Sequence, residues 1–117
     1  MKILDRAQFL AMPENTLFSK YAPCYFEALT IKGETLETDD FLEQAIDGAI
    51  ASTGSENYSS LLFDAKHYGV SLRMDFDCLG RDGCFETDQL FAVYEPQDVA
   101  ALIERLKFCL PQDKGQS

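Results

Sequence analysis

Residues 39–50 read DDFLEQAIDGAI. Phe41, Leu42, Ala45, Ile46, Ala49 and Ile50 recur at helical spacing and predict an apolar stripe facing a core. Asp40, Glu43 and Asp47 then line up on the other side, and Asp39 and Glu43 are i,i+4 neighbours. Like-charge pairs at that spacing cost about a few tenths of a kcal/mol each. Asp39 and Asp40 offset part of that cost at the positive helix N-terminus. Gly48 disfavours a helix interior, which leaves a strand or an irregular segment open.

The same stretch is the centre of a run without a cation. From Gly33 to Ala65 the chain carries Glu34, Glu37, Asp39, Asp40, Glu43, Asp47, Glu56 and Asp64, and no Lys or Arg. Residues 1–32 sum to +1, 33–65 to −8, 66–104 to −5 and 105–117 to +2, giving the formal −10. Phosphate binding needs clustered Lys and Arg, so nucleic acid is a poor ligand for this chain. An anionic membrane surface is disfavoured on the same ground. A surface of one sign instead points to a basic partner.

The flanking elements predict a small α+β fold. Asp5 with Gln8 forms a capping-box pattern for a short opening helix that Pro13 ends. Thr16–Tyr21 and Tyr25–Lys32 read as strands, the second closed by Gly33. After the small-residue loop Ala51–Ser55, Ser55 suits the N-cap of a helix to about Tyr68, with Gly69 as its left-handed terminator. Val70–Met74 and Gln89–Tyr94 read as further strands, with a turn at Gly80-Arg81-Asp82-Gly83. Pro96 suits the first position of a C-terminal helix in which Val99, Leu102, Ile103, Leu106 and Leu110 make an apolar stripe. That stripe predicts docking on the sheet. The expectation is one domain over 1–110, a mostly antiparallel sheet with three to four helices, and a polar tail over 111–117.

A chain of 117 residues buries about two thirds of its unfolded surface, enough for its own core. No run approaches about 18 apolar residues, the length of a membrane span. The N-terminus lacks the apolar run of a secretory signal, which predicts a cytoplasmic protein. Cys24, Cys78, Cys84 and Cys109 lack C-x-x-C spacing and read as reduced thiols, several of them small core residues. Phe18, Tyr21, Tyr25, Phe26, Phe41, Phe63, Phe76, Phe85, Phe91 and Tyr94 fall largely on apolar positions and read as core. Tyr21, Tyr58 and Tyr68 are candidates for an interface.

Catalytic patterns are sparse. His67, the sole histidine, lies near a predicted helix end, where it satisfies terminal carbonyls. There is no glycine-rich phosphate loop, no nucleophile elbow and no cofactor motif, so the sequence predicts no enzyme. Asp75–Glu86 partly fits a calcium loop, with Asp75, Asp77 and Glu86 as ligands and Gly80 at the sharp turn. Leu79 and Gly83 stand at ligand positions, and the approach reads as a strand, which favours a hairpin turned at Arg81-Asp82-Gly83. In size, charge and lack of catalytic motifs the chain resembles small acidic bacteriophage inhibitors of the anti-CRISPR and DNA-mimic kind. That resemblance implies a protein-binding inhibitor acting in the host cytoplasm. Glu34, Glu37, Asp39, Asp40, Glu43 and Asp47 would then face the basic groove of a nucleic-acid-binding host defence protein. The other readings are a small calcium- or ligand-binding domain at Asp75–Glu86, an acidic protein whose charge serves solubility only, and a homodimer paired through Gln89–Tyr94 at a sheet edge.

Overall fold

A computed structural model describes residues 1–37, 39–47, 49–50, 55–76 and 79–111, with the side chains of Ser55 and Glu56 outside that description. The elements are β1 (Lys2–Leu4), α1 (Arg6–Leu10), β2 (Thr16–Ala22), β3 (Tyr25–Phe26), β4 (Thr30–Leu36), β5 (Asp40–Ala45), α2 (Ser55–Tyr68), β6 (Gly80–Arg81), β7 (Leu90–Val93) and α3 (Pro96–Lys107). Seven strands form one antiparallel sheet in the order β1-β7-β2-β4-β5-β6, with β3 paired to β2. The fold is α+β.

Residues 40–45 are a strand, not a helix. Phe41 and Asp40 are both fully buried there, which a one-faced helical stripe would not allow. The backbone groups of β5 pair on both sides, Thr30 with Ala45 and Leu36 with Asp40 toward β4, and Leu42 with Arg81 toward β6. Sheet pairing satisfies the backbone while placing Phe41 in the core, and it outweighs the helical spacing. Gly48 and the loop Ala51–Gly54 lie outside the described residues.

Gly33 does not end a strand; it sits inside β4. The register slips by one residue between Lys32 and Thr35, so Gly33 and Glu34 form a bulge opposite Leu42. A Cβ on Gly33 would lie 3.0 Å from Leu42 Cβ and 3.3 Å from Leu42 O, which explains the glycine. The expected strand Tyr25–Lys32 is broken into β3 and β4. Val70–Met74 is not a strand: Met74 alone makes an isolated bridge, to Ile50. The hairpin expected at Arg81-Asp82-Gly83 does not form among the described residues: Gly80–Arg81 pairs with β5 instead.

The core is aromatic and small. Phe9 of α1 stacks on Phe91 at 4.1 Å, with Phe18 at 4.5 Å and Phe41 edge-on at 5.0 Å. One side chain of a five-residue helix therefore joins β7, β2 and β5. The helix is positioned by the predicted capping box: Asp5 Oδ1 accepts from Gln8 N at 2.8 Å, and Gln8 Oε1 accepts from Asp5 N at 3.0 Å.

Helix α3 packs against the sheet through its first turns, where Val99 and Leu102 are half-buried and Val99, Ala100 and Ile103 face Leu4, Leu17 and Val93 across an apolar groove. Its far half is open, with Ile103 and Leu106 exposed, as is Leu110 beyond its end. The aromatic expectation fails in part: Tyr25, Phe26, Phe63, Phe76 and Phe85 are exposed. Cys24 and Cys109 are also exposed, and Cys84 half-buried, so no described cysteine lies in the core; Cys78 is outside the described residues. Strand β7 runs between β1 and β2, so Gln89–Tyr94 is no edge for a second copy.

Two substitutions test this packing. Phe9→Ala should cost about 3–5 kcal/mol in urea unfolding, since it removes the ring shared by three strands. Gly33→Ala should cost about 1–3 kcal/mol by forcing the bulge away from Leu42, whereas a helical 41–50 would leave Gly33 free to change.

Candidate protein-binding face

The six predicted partner-binding acids do not share one face. Asp40 is turned inward and is fully buried. Its Oδ1 accepts from Phe41 N at 2.8 Å and Gly83 N at 3.0 Å, and its Oδ2 accepts from Arg81 Nε at 2.7 Å. Burial alone would raise the Asp40 pKa, but these three donors together hold it below the usual carboxylate range. This carboxylate serves the fold.

Glu43 is half-buried on the side of β5 that faces Lys20 of β2. Burial, followed by the neighbouring charge of Asp82, raises its pKa despite Lys20. Asp47 follows β5 at the end remote from the β4–β5 turn and is exposed.

That leaves Glu34, Glu37 and Asp39. Glu34 is in the bulge of β4, and Glu37 and Asp39 are in the turn between β4 and β5. All three are exposed, and none forms an ion pair among the described residues. Glu37 has φ 54°, a left-handed conformation that favours glycine or asparagine. Arg81 is the nearby cation, and its guanidinium is committed to Asp40, whose hydrogen bond and charge raise its pKa ahead of the smaller pull of Glu37 and Asp39. Glu34, Glu37 and Asp39 are thus exposed carboxylates at one end of the β4–β5 hairpin.

A second acid that sequence reasoning did not single out lies beneath this turn. The Asp82 side chain is 1% exposed and pairs with Lys20 Nζ at 2.5 Å, while Arg6 Nη2 lies 3.7 Å away. Burial opposes the Lys20 charge, but the hydrogen bond and charge of Asp82 raise its pKa overall. Arg6 Nη2 also donates to the Asp39 carbonyl at 2.7 Å, fixing the turn onto α1. The turn glycines around Asp82 were the visible signal; its partners, 62 and 76 positions away, were not.

Lys32 is the other buried cation. Its Nζ donates to Gly33 O at 3.1 Å and Thr35 Oγ1 at 2.6 Å, and burial lowers its pKa. No described carboxylate pairs with it, and its contacts close the β4 bulge.

The remaining candidates scatter. Asp75 is half-buried, and its N–H donates to Ala49 O at 2.9 Å; Glu86 is exposed, and Asp77 lies outside the described residues. Among the described residues no three His, Cys, Asp or Glu side chains are grouped to hold a metal. His67 is in the last turn of α2, as expected, with its ring 4.2 Å from Phe63. Tyr58 and Tyr68 of that helix are exposed, and Tyr21 is half-buried against Phe26 at 5.0 Å. No protein-family model matches the chain, and neither a curated protein nor a solved structure matches it.

The inward and outward acids should separate by mutation. Asp40→Asn should cost about 1–3 kcal/mol, because it removes a buried charged acceptor from three donors, while Asp39→Asn should stay within about 0.5 kcal/mol. Because the folded Asp40 pKa is depressed, the stability it contributes is present above the unfolded carboxylate pKa. It is lost as pH falls through the folded pKa, and Asp40→Asn should remove that acid-side decline. Glu43 has the opposite sign: its raised pKa means that the ionised form weakens the fold at neutral pH. Glu43→Gln should therefore raise Tm at pH 7, with the gain vanishing once pH falls below the unfolded carboxylate pKa.

Proposed function

We propose that this protein is a binding protein, not an enzyme, and that it inserts the carboxylate turn Glu34–Glu37–Asp39 into a basic groove of another protein. The observation that carries this reading is that the three acids are exposed and without ion-pair partners among the described residues, on a hairpin fixed to the core by Arg6 and Asp40. A turn pre-organised in this way loses little conformational entropy on docking. Phe85, half-exposed and lining the same cavity as Asp39, supplies an aromatic anchor beside the charges. In the most specific form of the proposal the groove belongs to a nucleic-acid-binding host defence protein, and the carboxylates take the place of backbone phosphates. The protein then acts as a DNA-mimic inhibitor of the kind phages deploy in host cytoplasm. Asp40 and Glu43 take no part, and Asp47 contributes only to a partner that spans the length of β5.

Steering by such a cluster accelerates encounter and is screened by salt. The tagged protein, incubated with bacterial lysate at low salt, should retain a nucleic-acid-binding protein that duplex DNA displaces. The triple variant Glu34→Gln, Glu37→Gln, Asp39→Asn should bind that protein about tenfold or more weakly, and raised salt should erase the difference. A captured protein that DNA does not displace, or that the triple variant holds as tightly as the parent, contradicts the proposal.

A further inference from the structure

Arg6 carries a donor that the fold leaves unused. Its side chain is 8% exposed, and Nη1 is buried without a hydrogen-bond partner among the described residues. Nη2 is occupied by the Asp39 carbonyl at 2.7 Å. The nearest carboxylate, Asp82, is 3.7 Å from Nη2 and is engaged more closely by Lys20. A buried guanidinium presents a planar fork of donors, and leaving part of it unmet is costly. Arg6 also borders a cavity of about 520 Å³ lined by Ala7, Leu10, Asp39, Phe85 and Thr87. That volume falls within the range of sites that hold small molecules, roughly 300–1,000 Å³. The guanidinium carbon lies 5.8 Å from the Phe41 ring centre on the core side and 6.0 Å from that of Phe85, which lines the cavity.

We propose that this cavity binds a small monocarboxylic acid with an apolar or aromatic body, the carboxylate accepting from Arg6 and the body lying against Leu10 and Phe85. The ligand has one negative charge because Arg6 and Lys20 together exceed Asp82 by a single charge. Asp39 lies on the rim, and Asp82 already shares the Arg6 charge, so a dianion would meet repulsion that a single carboxylate does not. Its body is apolar because Ala7, Leu10 and Phe85 supply most of the wall. Nη1 is buried, so a ligand reaches it only when a wall side chain moves, and Phe85 is the wall residue free to swing outward. Phe85 is 54% exposed in the coil between Gly83, with φ 65°, and β7, so this motion disturbs no strand pairing. The bound ring then regains the cation–π contact from the ligand side. Asp39 and Phe85 border both this site and the face proposed to dock a protein, but the titration below uses no protein partner and so reads this site alone.

The test is an NMR titration of the full-length, ¹⁵N-labelled chain with phenylacetate, the neutral phenylacetamide and inorganic phosphate at constant ionic strength. Phenylacetate should give saturable shifts at the amides of Arg6, Ala7, Leu10, Phe85 and Thr87. Phenylacetamide should bind about tenfold more weakly, having lost the charge-assisted pairing, and phosphate should leave these amides unmoved. Arg6→Lys should weaken phenylacetate about tenfold, since an ammonium cannot reproduce the fork. If Arg6→Lys does not fold, two exposed positions carry the test: Phe85→Ala removes the apolar wall, and Thr87→Tyr fills the cavity. Each should weaken binding about fivefold or more. Absence of saturable shifts at these five amides, equal binding of phenylacetamide, an equal response to phosphate, or unchanged affinity in both Phe85→Ala and Thr87→Tyr would each overturn the proposal.

Discussion

Two carboxylates in a chain of formal charge −10 are placed inside it, and the arrangement of the sheet edge follows from how they are held. Asp40 opens β5 and gathers its own strand's Phe41 N–H, the Gly83 N–H and the Arg81 guanidinium. Asp82, just past β6, reaches Lys20 on β2 and Arg6 on α1. A buried carboxylate persists only with donors aimed at it, so these two acids fix which segments meet. The two-residue β6 could not hold an edge by two ladder pairs alone; the acids on either side of it supply the remaining constraint. The aromatic cluster around Phe9 provides the apolar counterpart, joining the same helix to β2, β5 and β7.

This division of labour sorts the acids by role. Those of the interior are held by Arg81, Lys20 and Arg6, and they are unavailable to a partner. Glu34, Glu37 and Asp39 near the β4–β5 turn are exposed, and Asp40 and Arg6 tie that end of the hairpin to β6 and α1. Asp39 and Asp40 are adjacent in sequence yet belong to different groups, because successive side chains of an extended chain point to opposite sides. The exposed apolar residues of α2 and the far half of α3 are a separate feature, and nothing in the carboxylate network depends on them.

Much of the fold was legible in the sequence. The Asp5–Gln8 capping box, Pro96 at the start of α3, Gly69 with φ 70° after α2, and β2 and β7 all follow from short-range chemistry, and short-range chemistry is what a sequence displays. Residues 40–45 were misread because Phe41, Leu42 and Ala45 satisfy helical spacing, while the pairings that make them a strand come from Thr30–Leu36 and from Arg81. Asp40 and Arg81 are 41 positions apart, and no local pattern links them. The bulge at Gly33 was hidden likewise, since a glycine after a β-rich run reads as an end until the facing Leu42 is known. Of the candidate site, the acidity of Glu34, Glu37 and Asp39 was plain, but which neighbours share their exposure was not. No sequence pattern marks Arg6, and only its burial beside a cavity sets it apart.

The central claim is that Asp40 belongs to the interior while the carboxylates of the adjacent turn do not. Residue-specific titration of the Asp and Glu side-chain carboxyl carbons by ¹³C NMR reads this directly. The account predicts that Asp40 titrates below the ordinary aspartate range, that Glu43 titrates above the ordinary glutamate value, and that substituting Arg81 by Gln moves Asp40 upward. An Asp40 that titrates as a free aspartate and ignores the loss of Arg81 would contradict it.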